Sequence, residues 1–553
     1  MNSMDKIENL KLDKCLGALI GAAVGDALGW PQEQNSKNTS KKSLKNMEIF
    51  QKWTRRDGHM IWSHVEEIYA GEYSDDTQLI IATVRSLRYG SGWSKYFTKV
   101  ELPAWLSYER GGGGATKRAA EAWKRGNNPW NLEKEKKSDV EKYFNAGGNG
   151  VAMRILPHIF LNVYNWSEVK NQVFLNGMYT HGHPRALIGA IIYADALVYL
   201  LNNEKTLGYG ELVNYLLNRK EQWGSLPNFE KIDNWINTAN IINQDKYLDI
   251  WNHVVDEVVS LLKVVKDGLE QGALDLGNEV LEKLGCFDKK FNGAGTVTAV
   301  AAIYLTSKYA SSPDLALIEA AYLKNADTDT LASMVGGLIG ILHGSKFLKL
   351  SWFSVQDYEF LTKLVNYKPV VMESTKATFI DYNNSKFKSY LKQTKIGDTF
   401  VAQPFGKLTL KERRLNNPNS KDVIVNTLKF VSDEGQSIFI KTYEKYLEVD
   451  KALIQERSDY IVEQQEIIGT AHKINTFKPL LDSGKLRGLV NLFPDKVDVD
   501  LCLLFIADVL SELERSGTGE IDNIDFHHLC DRWMKHEFDI KSIEKVIKVI
   551  LKY

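Results

Sequence analysis

Glycine recurs at every fourth position near the amino terminus, at Gly17, Gly21, Gly25 and Gly29, in a run that is otherwise apolar except for Asp26. Residues four apart share one face of a helix. A glycine in a helix interior costs about 1 kcal/mol relative to alanine, so four on one stripe require a compensating reason. Close approach of a second backbone supplies one. The stretch from Thr330 to His343 carries its own row at Gly336, Gly340 and Gly344. The two segments are therefore expected to be helices packed ridge into groove. Packing alone accounts for the glycines. What distinguishes the two helices is the acids beside them, Asp26 and Glu33 on the first, Asp327 and Asp329 ahead of the second.

Most of the first 350 or so residues repeat this helical periodicity. Leu79, Ile80, Val84 and Leu87 follow it, as do Leu187, Ile191, Ala194 and Val198. Strand alternation is nearly absent there. The polar, Trp- and Asn-rich text between Asn202 and Asp288 reads as connecting helices and surface loops. Past Tyr367 the pattern changes. Short strands are expected at Thr399–Ala402 and from Lys407, flanking a turn at Pro404–Gly406, and a hairpin is expected from Val423–Phe430 and Ser437–Tyr443 around Gly435. Helical pattern returns from Lys451, strongest in Leu501–Leu513 and Ile543–Leu551. A chain of 553 residues suggests about two to four domains. The expected division is a helical domain over 1–369, a small β-containing module over 370–450 and a helical region over 451–553. No tandem repeat or low-complexity tract is visible.

Composition narrows the function classes. A hydrophobic fraction of 44% with 25% charged residues excludes wholesale disorder. The 69 basic and 70 acidic residues leave a net charge of −1, which argues against a surface built throughout for nucleic acid or anionic lipid. Cys15, Cys286, Cys502 and Cys530 are too widely spaced for a zinc motif and fit buried thiols in a reducing compartment. No apolar run reaches the roughly 18 residues of a membrane span, and the best candidate, Leu16 to Trp30, contains Asp26. A cytoplasmic protein with no membrane partner is expected.

Two acidic segments each open a helix, Ser74-Asp75-Asp76-Thr77 and Asp327-Thr328-Asp329-Thr330. Helix capping alone explains either one. Taken together with Glu33 they hold five carboxylates. If these met in one site, each pair at 4 Å would repel by about 4 kcal/mol at an effective dielectric near 20. Divalent cations relieve such repulsion, and carboxylates with the Ser74 and Thr330 hydroxyls suit Mg2+ or Mn2+. Two metal ions need about that many acids. Spacing does not by itself bring the segments together.

Gly147-Gly148-Asn149-Gly150, with His181 downstream, suits a phosphate or ribose, through exposed backbone N–H groups and two polar anchors. His158 and His183 read as structural. The run Glu109 to Arg118 holds four glycines but lacks the Gly-Lys-Ser/Thr ending of a phosphate-binding loop, which excludes that type of nucleotide hydrolysis.

In order, GALIGAAVGDALGWPQE, SDDTQL, GGNGVAMRILP, THGHPRA and NADTDTLASMVGGLIG resemble the ADP-ribosylglycohydrolase family over roughly residues 10–350. The resemblance implies an all-α orthogonal helical bundle, here with a C-terminal α+β appendage, around two Mg2+ or Mn2+ ions. It implies Ser74, Asp75, Asp76, Asp327, Asp329 and Thr330 as metal ligands. It assigns Glu33 to the family's mobile glutamate, Gly148, Asn149 and Gly150 to the ADP-ribose loop, and His181 to the diphosphate. The implied reaction is hydrolysis of the glycosidic bond of an ADP-ribosylated substrate, with Glu33 and Asp76 as catalytic groups. Two positions depart from the family pattern: Ser74 replaces the usual threonine, and Asn325-Ala326 replaces a common Gly-Gly.

An isoprenoid synthase is a weaker alternative, because neither acidic segment has the DDxxD form. A non-catalytic sensor of ADP-ribose, coupled to the C-terminal module, is another. Within that module, Lys407, Lys411, Arg413, Arg414, Lys421 and Lys429 outnumber the acids, so a partner protein or nucleic acid is a further expectation.

Overall fold

The computed structural model describes residues 3–34, 47–161, 165–229, 232–271, 278–366, 385–418 and 423–445, together with Phe505 and Val509. Residues 1–445 form one compact unit and 446–553 a second. In the second, Phe505 and Val509 are helical and buried. The rest of the helical region expected over 451–553 lies outside the described residues.

The glycine rows meet as the spacing requires. Helix α1 (Ser3–Gln34) packs along a later helix, Thr328–His343, with the two backbones in contact. A Cβ placed on Gly21 would lie 2.5 Å from the Gly336 carbonyl oxygen, and one on Gly25 2.1 Å from that of Ala332. The reverse holds too: a Cβ on Gly336 would sit 2.0 Å from the Gly21 oxygen. No side chain separates the two helices along this line.

Around this pair the body is helical. The elements that matter for the site are α2 (Asp75–Leu87), α3 (Gly114–Lys124), α4 (Pro184–Asn202), α5 (Tyr247–Glu270), α6 (Gly295–Lys308) and α7 (Thr328–His343). Helices α4 and α6 are buried on nearly every face, and their backbones also approach closely, at Gly189 and Gly295. Among the described residues α4 is the one helix long and apolar enough to cross a membrane, but 89% of it is buried in the core. The Trp-rich stretch after Asn202, expected at the surface, instead feeds the core. Trp223, Trp235 and Trp251 are fully buried, and each indole N–H donates inward, to the Leu216 carbonyl, the Tyr143 hydroxyl and the Gly224 carbonyl. Such partners let large aromatics bury without leaving a donor unsatisfied.

Six strands form one antiparallel sheet. Strands β1 (Trp53–Asp57) and β2 (His64–Ile68) come from the amino-terminal half, and periodicity gave no sign of them. The other four are β3 (Thr399–Ala402), β4 (Gly406–Pro418), β5 (Val423–Ser432) and β6 (Ser437–Lys445), close to the strands and hairpin expected there. The order is β1-β2-β4-β5-β6, with β3 on β4. The two groups are spliced where His64 pairs with Pro418 and Val65 with Asn417. Each of β1 and β2 spans five residues, too few for a two-residue alternation to stand out.

The basic run of β4 is partly internal. Arg414 is buried against Glu72 and Glu412, and Arg413 donates to the carbonyls of Leu391 and Thr394. Lys407 and Lys411 are exposed, so the run does not form a continuous basic face.

The helix contact yields a test in which two effects oppose. Gly336→Ala gains helix propensity of about 1 kcal/mol but forces a methyl into the α1 backbone. The clash should dominate, with a net loss of at least about 2 kcal/mol in denaturant unfolding. Gly92→Ala, where an added Cβ meets nothing within 4 Å, should change stability by less than about 0.5 kcal/mol.

Candidate active site

Both acidic segments sit at helix starts. Ser74 caps α2, its hydroxyl accepting from the Asp76 N–H at 3.3 Å, and Asp327 stands at the N-cap position of α7. Glu33 lies in the last turn of α1. Because α1 and α7 run in backbone contact, Glu33 is delivered to Asp327 and Asp329, and carboxylate oxygens of the three lie within 4.8 Å of one another. Asp26, buried inside α1, fastens the second segment. It accepts from the Ser74 N–H (2.9 Å), the Thr77 N–H (3.0 Å) and the Thr77 hydroxyl (2.6 Å). Thr330 then links α7 to α2, its hydroxyl donating to Asp76 at 3.3 Å.

A cavity of about 280 Å³ opens over this cluster. Glu33, Asp75, Asp76, Asp327, Asp329 and Thr330 line it, and so do Gly148, Asn149, Gly150 and His181. Of the site residues that the resemblance implies, Ser74 alone is outside the lining; it is fully buried behind it as the cap of α2. The glycine-rich loop is held from both sides. Asn149 donates its backbone N–H to the Gly293 carbonyl and its amide to Asp327 (3.0 Å) and Thr298. Beneath it the buried Arg154 donates to the Gly150 carbonyl, to Asn176 and to the Thr180 hydroxyl, which in turn contacts His181 Nδ1 at 2.7 Å.

The acids are electrostatically frustrated. Burial drives Asp75, Asp76 and Asp329 well above the usual carboxylate range. Neighbouring charges add to it: chiefly Glu109 on Asp75, Asp26 on Asp76 and Glu33 on Asp329. Glu33 is exposed, with its carboxyl beside those of Asp327 and Asp329. Desolvation and Asp327 push it up to about 8, against the hydrogen bond with Asp329. The Oδ2 atom of Asp76 is buried with no hydrogen-bond partner. A buried carboxylate oxygen without a donor, among hard oxygen ligands, fits a divalent cation such as Mg2+ or Mn2+. His181 is the opposite case. Burial, then Arg154 and Arg118, depress it to about 3, so it is neutral at physiological pH.

A family model described as ADP-ribosylglycohydrolase matches residues 8–377. The chain belongs to the ADP-ribosylglycohydrolase family. A solved structure described as an ADP-ribosylglycohydrolase-related protein complex is similar at 18% identity, covering 65% of this chain and 97% of that one, with a TM-score of 0.41. No curated protein sequence matches. Strands β3 to β6 lie beyond the stretch that the family model covers. Within it, Asn325 adopts a φ of +70°. Asparagine tolerates this left-handed region better than most residues, so the loop before Asp327 can keep a glycine-like conformation.

Three parts of the site escaped sequence reasoning. Asp26 stands as a lone acid in a glycine stripe, and its place in an apolar helix is the signal that it must find donors. Gly111, Gly113, Gly114, Ala115 and Thr116 line the cavity, although their run lacks the ending of a phosphate-binding loop. Arg154 lies inside the glycine-loop motif and carried no signal of its own. His158 and His183 are structural, as expected: His158 is buried beside Asn176 and Trp93, and His183 accepts from the Arg185 N–H at the start of α4.

The raised carboxyls have a pH consequence. A carboxyl whose folded pKa is elevated stabilises the fold below its unfolded value, and the contribution is lost as pH rises through the folded value. For Glu33 that window runs from 4.5 to about 8. Metal-free protein should therefore lose stability across it. A divalent cation, which binds the ionised groups, should raise Tm more at about pH 8.5 than at about pH 5.5. Thermal unfolding in chelator and in Mg2+ at both pH values checks this; an equal gain at both would count against a cation site here.

Proposed function

We propose that this protein is a divalent-metal-dependent hydrolase that cleaves the glycosidic bond of ADP-ribosylated substrates and releases ADP-ribose. The observation that carries the reading is convergence. Carboxylates from three distant segments, Glu33, Asp75 with Asp76, and Asp327 with Asp329, line the same cavity as Gly148–Gly150 and His181.

Asp75, Asp76, Asp327, Asp329 and Thr330 would hold two Mg2+ or Mn2+ ions, with Ser74 supporting them from the α2 cap. When bound, the ions supply Lewis-acid polarisation of the ribose hydroxyls and of the attacking water. Glycosidic cleavage passes through an oxocarbenium-like state, which gains from carboxylates held near the anomeric carbon. Glu33, on the cavity beside Asp327 and Asp329, would give a proton to the departing group. Asp76, on the same cavity at the start of α2, would take up the proton of the water. Remote binding energy comes from the other part of the cavity. The N–H groups of Gly148 and Gly150 and the neutral His181 ring would anchor the diphosphate, and Arg154 keeps that loop and His181 in place beneath.

Asp329→Ala and Asp76→Ala should each lower metal-dependent ADP-ribose release at least about 100-fold, since each removes a ligand and its charge. A panel of ADP-ribosylated protein, nucleic acid and small-molecule substrates, assayed with and without chelator, identifies the acceptor. Full activity in either variant would sink the assignment. Tight ADP-ribose binding with no turnover of any substrate would instead favour a sensor. His181→Ala should act differently, reducing kcat/KM by about 10-fold or more through lost diphosphate anchoring while metal affinity stays unchanged.

A further inference from the structure

Arg110 sits at the junction between the cavity wall and the C-terminal sheet. It is fully buried, and its Nε and Nη1 have no hydrogen-bond partner. Two things hold it instead. Its Nη2 donates to Glu72 at 2.8 Å and to Glu66 at 3.4 Å, and its guanidinium lies over two aromatic rings, Phe439 of β6 at 4.1 Å and Trp30 of α1 at 5.4 Å. Glu72 is in turn shared with Arg414 of β4, at 2.7 Å, whose guanidinium stacks on Tyr69 at 3.7 Å. A second thread runs parallel. One oxygen of Asp357 accepts both the Tyr73 hydroxyl and the Ser437 N–H, each at 2.8 Å.

These contacts end on the site. Gly111 follows Arg110 with a φ of +100°, and a Cβ on it would lie 3.3 Å from Asp75 Oδ1 and 3.4 Å from the Trp30 indole nitrogen. Trp30 is one helical turn from Glu33, and Tyr73 adjoins Ser74. The backbone at Gly111 thus abuts one acidic segment and the helix that bears another. An arginine with two unsatisfied donors stays in place only while its two ion pairs, to Glu72 and Glu66, and its stacking partners do.

We propose that Arg414 and Phe439 of the C-terminal sheet are positioning residues of the active site, fixing Arg110 and Glu72 and through them the Gly111–Thr116 wall and the start of α2. The role rests on the cavity being the catalytic site. Both residues lie outside the 8–377 stretch matched by the family model, so this chain has recruited its own appendage to support the shared machinery.

The test uses the full chain with Arg414→Met, Arg414→Lys and Phe439→Leu, the last keeping an apolar side chain of similar size. Hydrogen exchange should be faster in the peptide covering 109–116, with protection of α4 and α6 retained. The Kd for Mn2+, measured by calorimetry, should weaken about 10-fold in Arg414→Met and Phe439→Leu, and Arg414→Lys should recover part of it. In a Glu72→Gln background the further effect of Arg414→Met should vanish, because the path runs through that carboxylate. Unchanged exchange at 109–116 and an unchanged Mn2+ Kd in folded Phe439→Leu would overturn the proposal, as would an undiminished Arg414→Met effect in Glu72→Gln. These readouts need no turnover. If wild type binds Mn2+ but releases no ADP-ribose, the functional reading fails while the positioning role is still decided.

Discussion

Where Gly21 meets Gly336, two helices touch backbone to backbone, and the geometry of the acidic cluster follows from that line of contact. Helix α1 carries Asp26 and Glu33, and α7 begins at Asp327 and Asp329, so the glycine rows act as a register between them. A slip of one turn would move the acids about 5.4 Å relative to each other. Side chains between the helices would leave room for such play. Their absence removes it, and Asp26 then extends the same register to α2 through three hydrogen bonds.

The cluster held in this way opposes its own assembly. Like charges in a poorly solvated space favour protonation or a counterion, and the positive groups nearby are mostly committed. Arg154 is spent on the glycine loop and Thr180, and Arg55, Arg110 and Arg414 on Glu66, Glu72 and Glu412. No buried arginine or lysine is hydrogen-bonded to Asp75, Asp76 or Asp329 among the described residues. The protein therefore keeps its negative charge concentrated and its compensating cations one layer back, an arrangement that fits the uptake of an external cation.

Much of this was legible in the amino-acid order because it is local. Capping hydroxyls and acids mark the starts of α2 and α7, a four-residue glycine repeat marks a close helix contact, and a glycine-rich turn marks exposed N–H groups. What was not legible depends on partners far away in the chain. The five-residue strands β1 and β2 exist because β4 completes their sheet at His64 and Val65. Trp223, Trp235 and Trp251 look like surface residues in a polar stretch until the helices that cover them are in place. Asp26, Arg110 and Arg154 act through contacts tens to hundreds of residues distant, and no spacing rule encodes those.

The pairing of His64 with Pro418 also orders events during synthesis. At roughly 5 to 20 residues per second, a ribosome needs on the order of 20 to 70 seconds to travel between these two positions. Over that interval the β1–β2 ribbon stands with one edge unpaired, and buried carboxylates such as Glu66 and Glu72 lack their strand-borne partners. Helix α1 waits nearly as long for α7. The amino-terminal third of the chain is thus made first and finished last, and its exposed strand edge is the place where a nascent-chain chaperone would have most to protect.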